Sequence, residues 1–191
     1  MKTTFRPQKI LFPMPTSLVV TGTMEKANIV TIAWVSLLTS SPPTLGVSIG
    51  TRGYSGNEII NNKHFTVNIA SADYMTEADF CGITSGKDVD KFAKTGFTKM
   101  QSKHIPSPLI KECPLNFECK LVKSTLVGTT NHFAGEILEL YMDTDKLEDV
   151  NNPGSLITEA FNPLIYIGGA REYRKIGEKI GDAYNIGKNL R

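Results

Sequence analysis

The 191-residue chain predicts a mainly β fold, a barrel with a few short peripheral helices, and three observations carry that expectation. Apolar and β-branched residues come in short runs, at 17–21, 29–32, 44–49 and 65–69, each bounded by glycine, proline or polar turn residues. Leu115, Phe117, Cys119 and Leu121 alternate with Asn116, Glu118 and Lys120, a period of two that gives a strand one buried face. Helical signals are few and brief, which argues for insertions around a barrel. There is no internal repeat and no low-complexity linker, so a single domain is expected over residues 1–191.

In chain order, residues 17–21 form a strand closed by Gly22. The polar turn Lys26-Ala27-Asn28 leads into a strand over 29–38 that carries the only tryptophan, Trp34. Ser40, Ser41, Pro42 and Pro43 make a loop before the strand 44–49. A glycine-rich turn then enters a helix at 56–61, for which Ser55 and Glu58 have the spacing of a capping box. By itself that box favours a structural role for Ser55. A helix start with free N–H groups beside Arg52 and several hydroxyls is also suited to one phosphate. After the strand 65–69, Ser71 caps a helix running through Ala78 and Phe80. Asp88 opens a short helix that Gly96 ends in a left-handed conformation. Strands follow at 115–121, at 132–141 after the turn 128–131, and at 163–167 before Gly168-Gly169. The tail 177–191 has spaced glycines and little core potential, and suits either packing across a partner subunit or mobility.

Composition excludes several classes. The chain is 40% hydrophobic and 21% charged, as expected for a globular protein, and its formal charge of +2 is too small to argue for nucleic acid or an anionic membrane. Lysines and arginines are scattered apart from a basic run at 171–175. No apolar stretch is long enough to span a bilayer and the first residues lack the apolar core of a signal peptide. Three cysteines, an odd number, suit a reducing compartment, so a cytoplasmic location is expected.

The chemistry candidates are individually ambiguous. No Gly-x-Gly-x-x-Gly or Gly-Lys-Ser/Thr motif is present, so a nucleotide-like cofactor would be held in another way. Cys81, Cys113 and Cys119 lack metal-ligand spacing, and no metal site is expected. His64 and His104 read as solvated, whereas His132 opens a strand after a Thr-rich turn, at the mouth of a barrel. Lys91 reads as a solvated helix residue, Trp34 as core, and Phe161 as either core or a contact over a ligand.

In combination these segments resemble the flavin reductase-like family of FMN-binding split barrels, in particular its flavoredoxin type. The marks are Pro13-x-Pro15, Asn28-x-x-Thr31-x-Ala33-Trp34, Ser40-x-Pro42-Pro43-x-Leu45, and Arg52-x-x-Ser55 with Ile59. Further marks are Asp90-Lys91-Phe92 with Thr95-Gly96, His132-x-x-Gly135-Glu136, and Ala160-Phe161-x-Pro163-Leu164-x-Tyr166. They cover about residues 13–173, and their order is more specific than any one of them. The resemblance implies a Greek-key-like split barrel and a homodimer with one non-covalent FMN per barrel, near the subunit interface. It implies that Asn28 and Thr31 touch the flavin and its ribityl chain, with Trp34 near the ribityl-phosphate. Ser48, Arg52 and Ser55 would receive the phosphate, and Lys91 would reach the cofactor. His132 and Phe161 would lie beside the isoalloxazine, with His132 the residue that influences hydride or electron delivery. The activity implied is an NAD(P)H-dependent flavin or ferric reductase, or an electron carrier served by a redox protein. The alternatives are a flavin sensor or store without turnover and, more weakly, an interaction barrel without cofactor.

Overall fold

The computed structural model describes residues 1–190. Twelve strands and four α-helices follow in the order β1 (Met14–Pro15), β2 (Ser17–Gly22), β3 (Ala27–Ile32), β4 (Val35–Ser40), β5 (Pro43–Gly50), α1 (Tyr54–Asn62), β6 (His64–Ile69), α2 (Met75–Ile83), α3 (Lys91–Thr95), β7 (Lys99–Met100), β8 (Leu109–Ile110), β9 (Leu115–Val127), β10 (Thr130–Met142), α4 (Thr158–Phe161), β11 (Ile165–Ile167) and β12 (Glu172–Arg174). Seven strands make one antiparallel sheet in the order β3-β2-β6-β9-β10-β5-β4. Its two edge strands, β3 and β4, are joined by only Ala33 and Trp34. In a flat sheet those edges would lie six spacings of about 4.8 Å apart, whereas three peptide steps of about 3.8 Å reach only about 11 Å. The sheet therefore curls until its edges meet at the 33–34 corner, which makes a split barrel. The Trp34 carbonyl accepts the Ser48 amide at 3.0 Å, pinning the corner to β5.

This closure corrects the single strand expected over 29–38. Strand propensity is high on both sides of Ala33-Trp34, and the break comes from the crossing between sheet edges, which no local signal marks.

Alternation then divides the core. Val19, Val47, Val67, Phe65, Cys119 and Phe133 fill the barrel together with Ile59 of α1. Leu18, Val20 and Ile29 face outward and pack with Ala78, Cys81 and Phe92 of α2 and α3. Strand β2 is thus buried on both faces, which explains its unbroken apolar run. At Gly135 an added Cβ would stand 2.5 Å from the Phe65 ring, so the ring requires glycine there.

Two caps differ from expectation. Helix α1 begins at Tyr54 with Gly53 at its N-cap and no side-chain cap, so the Ser55–Glu58 capping box is absent. Because the helix starts earlier than its apolar pattern suggests, Ser55 lies inside the first turn and its buried hydroxyl accepts from Asn28 Nδ2 at 2.8 Å. Asp90, not Asp88, caps α3 by accepting the Ala93 amide, and Gly96 ends it at φ 73° as expected. Ser71 caps a 3-10 turn at Ala72–Tyr74 that leads into α2.

Strand β9 also departs from a one-faced strand. Its polar residues Asn116 and Glu118 are buried beneath the segment 101–114. Asn116 Nδ2 donates to Asn68 Oδ1 and to the Ile110 carbonyl. The Glu118 carboxylate accepts the amides of Lys103 (2.6 Å) and His104 (2.8 Å) and the Tyr141 hydroxyl. Polar side chains face inward here because backbone groups of a loop meet them, information that a strand's own period does not contain. Of the tail, residues 176–188 are exposed, and residue 191 lies outside the described residues.

Glu118→Ala leaves two amides unpaired in the loop's seat, and it is expected to lower stability by at least about 2 kcal/mol. The measurement is a urea unfolding curve, with a lower midpoint and an unchanged slope.

Candidate cofactor-binding groove

In the β5–β10 ladder Ser48 lies opposite His132 and Val47 opposite Phe133. Val47 and Phe133 point into the barrel, so Ser48 and His132 point out, where Ser48 Oγ and His132 Nδ1 hydrogen-bond at 2.9 Å. Gly46 makes room for the imidazole: a Cβ there would approach His132 Cε1 to 2.8 Å and Nε2 to 3.0 Å. Among the described residues Nε2 has no hydrogen bond. Beside this pair stands Trp34, 44% exposed, at the corner between β3 and β4.

Ser48, His132, Trp34 and Ala33, together with Ile10 and Met14 of the N-terminal arm, line a cavity of about 540 Å³. Its size and its mixture of apolar walls with a few polar groups are those of a small-molecule site. A second cavity of about 360 Å³ lies between the arm, Trp34 and the Gly168-Gly169 turn. A third, of about 290 Å³, is bordered by Thr16, Thr31, Gly82, Tyr166, Arg171 and Tyr173. Trp34 belongs to the first two, Ala33 to the first and third, and Arg171 to the second and third. The three form one groove around the 33–34 corner.

The residues expected to bind a cofactor divide among several places. Trp34, Ser48 and His132 share the largest cavity, and Thr31 lines the third, its hydroxyl donating to the Ala78 carbonyl. Asn28 is an odd number of residues from Thr31 and so occupies the opposite face of β3, bonded to Ser55 with its Oδ1 buried and unpaired. Arg52 is exposed in the turn between β5 and α1. Lys91 is 3% exposed and its ammonium donates to the carbonyls of Ile29 and Cys81, each at 2.7 Å. Burial lowers its pKa, and the two carbonyls tie β3 to α2. Phe161 is buried in α4 and lines none of the three cavities. Ser48, Arg52 and Ser55 therefore do not converge through their side chains.

Several groove residues escaped the sequence reading. Gly46 sits in an ordinary apolar strand, Tyr166 was visible only as part of a motif, and Arg171 only as the start of a basic run. The arm at 8–15 carried no signal beyond its prolines.

An open-sided antiparallel barrel with an aromatic ring and an imidazole–hydroxyl pair at an outward groove is a split barrel with a candidate ligand site. The chain belongs to the flavin reductase like domain family, which it matches over residues 10–177. Its fold is similar to flavoredoxin of Desulfovibrio vulgaris (Miyazaki F), at 31% identity over 98% of this chain and 100% of that one, with a TM-score of 0.89. It is likewise similar to flavoredoxin from Methanosarcina acetivorans, at 30% identity over the whole of both chains, with a TM-score of 0.90. An uncharacterized protein of Archaeoglobus fulgidus is 37% identical over 130 residues, covering 68% of this chain and 73% of that protein. Among the described residues no helix is long and apolar enough to cross a membrane.

The cysteines are separate from the groove. All three are buried and unpaired, and burial pushes the Cys81 thiol up to about 11 and those of Cys113 and Cys119 up as well. A thiol held protonated is a poor nucleophile. Among the described residues no cluster of three or more His, Cys, Asp or Glu is arranged to hold a metal ion. At pH 8 the native protein is expected to resist iodoacetamide and to become alkylated at all three cysteines after unfolding in guanidinium, as counted by intact mass.

Proposed function

We propose that this protein is an FMN-dependent oxidoreductase of the flavoredoxin type, passing electrons or hydride through a non-covalently bound flavin. The observation that carries this reading is the Ser48–His132 pair beside exposed Trp34 at an open cavity of about 540 Å³, in a chain of the flavin reductase like family. The likeness to two flavoredoxins over nearly the whole chain supports this reading.

The residues present fit a flavin. A large flat ring needs apolar walls and few polar contacts, and Trp34, Ile10 and Met14 supply such walls around one imidazole. When bound, flavin supplies both hydride and single-electron chemistry from one ring system. The chain's part is placement and electrostatics. In this reading Ser48 Oγ donates to His132 Nδ1, which leaves the proton on Nε2 as a donor toward negative charge developing in the cavity. Arg52 and the uncapped start of α1 are the groups suited to the phosphate, so losing the expected cap leaves that anion site more available. Lys91 acts by clamping β3 to α2, which keeps Thr31 and Ala33 in place.

A second copy of this chain is the proposed partner. Strand β4 is an unpaired sheet edge with Leu37 and Leu38 exposed, and Val122, Leu126 and Val127 are exposed on the β9–β10 hairpin. An apolar edge of this kind invites association. The unpaired cysteines favour work in a reducing cytoplasm.

The purified protein is expected to be yellow, or to take up added FMN with a flavin absorbance band. Anaerobic addition of a reduced ferredoxin should bleach that band quickly; bleaching by NADH or NADPH alone would favour the reductase reading, and a colourless protein that ignores FMN would remove both. His132→Ala should keep FMN bound but slow its reduction about tenfold or more in stopped-flow absorbance. Light scattering should report a dimer that Leu37→Lys dissociates, and an unchanged mass would place the interface elsewhere.

A further inference from the structure

We propose that Leu38, carried by a β-bulge in the edge strand β4, is a positioning residue for His132. Its methyl end limits rotation of the imidazole, so that Nδ1 stays on the Ser48 hydroxyl and Nε2 keeps a fixed direction. The consequence for electron delivery rests on the flavin reading of the neighbouring cavity, whereas the contact itself belongs to the protein alone.

In the β4–β5 ladder Leu37 pairs with Leu45 and Thr39 with Thr44, so two steps along β4 match one along β5. Leu38 is the extra residue and has no partner on β5. A bulge of this kind re-aims a side chain out of the regular pleat. The Leu38 side chain reaches the space over Gly46, where a Cβ would stand 2.8 Å from Leu38 Cδ2 and 2.8 Å from His132 Cε1. His132 Nε2 lies 3.0 Å from the same point. The leucine methyl and the Cε1–Nε2 edge of the imidazole therefore crowd one spot above bare backbone.

That crowding matters because one hydrogen bond fixes a histidine ring poorly. The last side-chain torsion of histidine has broad, roughly two-fold minima, and a half-turn would carry Nδ1 away from its partner. Ser48 Oγ holds Nδ1 at 2.9 Å, and Leu38 meets the ring at its Cε1–Nε2 edge. Contacts on two different parts of the ring define an orientation that either alone leaves free. A fixed ring also fixes which nitrogen carries the proton, since that follows from the bond Nδ1 makes. Leu38 lines none of the three cavities, so it acts through His132 and not on a ligand. Its neighbour Leu37 is exposed on the same edge but pairs in regular register with Leu45, which makes it a matched control.

The test is heteronuclear NMR of the full chain, prepared without flavin and labelled with nitrogen isotope at histidine. A nuclear Overhauser contact between the Leu38 methyls and His132 Hε1 is expected in the native chain, a readout that needs no variant to fold. Leu38→Ala should move the His132 ring-nitrogen shifts toward those of a free, mixed-tautomer imidazole. Leu38→Met, which keeps the volume, should restore most of the native pattern, and Leu37→Ala should leave it unchanged. In the flavin-loaded protein Leu38→Ala should slow stopped-flow reduction about threefold or more with FMN still bound. Absence of the Overhauser contact, unchanged nitrogen shifts in Leu38→Ala, or an equal displacement in Leu37→Ala overturns the proposal. Displaced shifts with an unchanged reduction rate also overturn it, by leaving the contact without effect on electron delivery. A protein that takes up no FMN refutes the flavin reading instead, and the histidine spectra still decide whether Leu38 holds the ring.

Discussion

The two-residue crossing from β3 to β4 is the constraint on which the rest of this molecule depends. It forces opposite edges of a seven-stranded sheet to meet, and so turns a sheet into a barrel. The same two residues, Ala33 and Trp34, form the wall where all three cavities join. A corner cannot present its side chains with the regular alternation of a strand, and that irregularity leaves an indole in the open beside an imidazole. Closure of the sheet and the shape of the groove therefore depend on the same two residues.

Around that corner the polar groups serve different ends according to which side of the sheet they occupy. Outward, Ser48 orients His132 over the bare backbone of Gly46. Inward, Asn28 and Ser55 bond each other at the barrel end closed by α1. Beneath the helices, Lys91 ties two backbone carbonyls together. A buried ammonium is costly unless its donors are satisfied. Two of the three Lys91 donors meet main-chain carbonyls, so the side chain holds β3 and α2 together while remaining remote from solvent.

Much of the fold was legible because a strand's signal is local. The alternation at 115–121 and the apolar run at 17–21 are side-chain patterns that mark strands, and Gly96 ends α3 in a left-handed conformation that glycine adopts readily. What misled was equally local. Ser55 and Glu58 have the spacing of a cap, yet the helix begins one residue before Ser55 and turns its hydroxyl inward. Asn116 and Glu118 have the look of a wet face, yet a loop supplies the amides that make their burial affordable.

By itself the sequence determined the longer strands, apart from the break at Ala33-Trp34, the helices α1, α2 and α3, and the family; of the residues the resemblance named, Trp34, Ser48 and His132 line one cavity. Those elements and the family follow from residue types in order along the chain. Only the tertiary structure decided that Lys91 and Phe161 are buried away from that cavity, that Arg171 and the N-terminal arm border the groove, and that Asn28 and Thr31 face opposite ways. The reason is that a groove is made where segments distant in sequence meet, and sheet closure, not local preference, sets which segments those are.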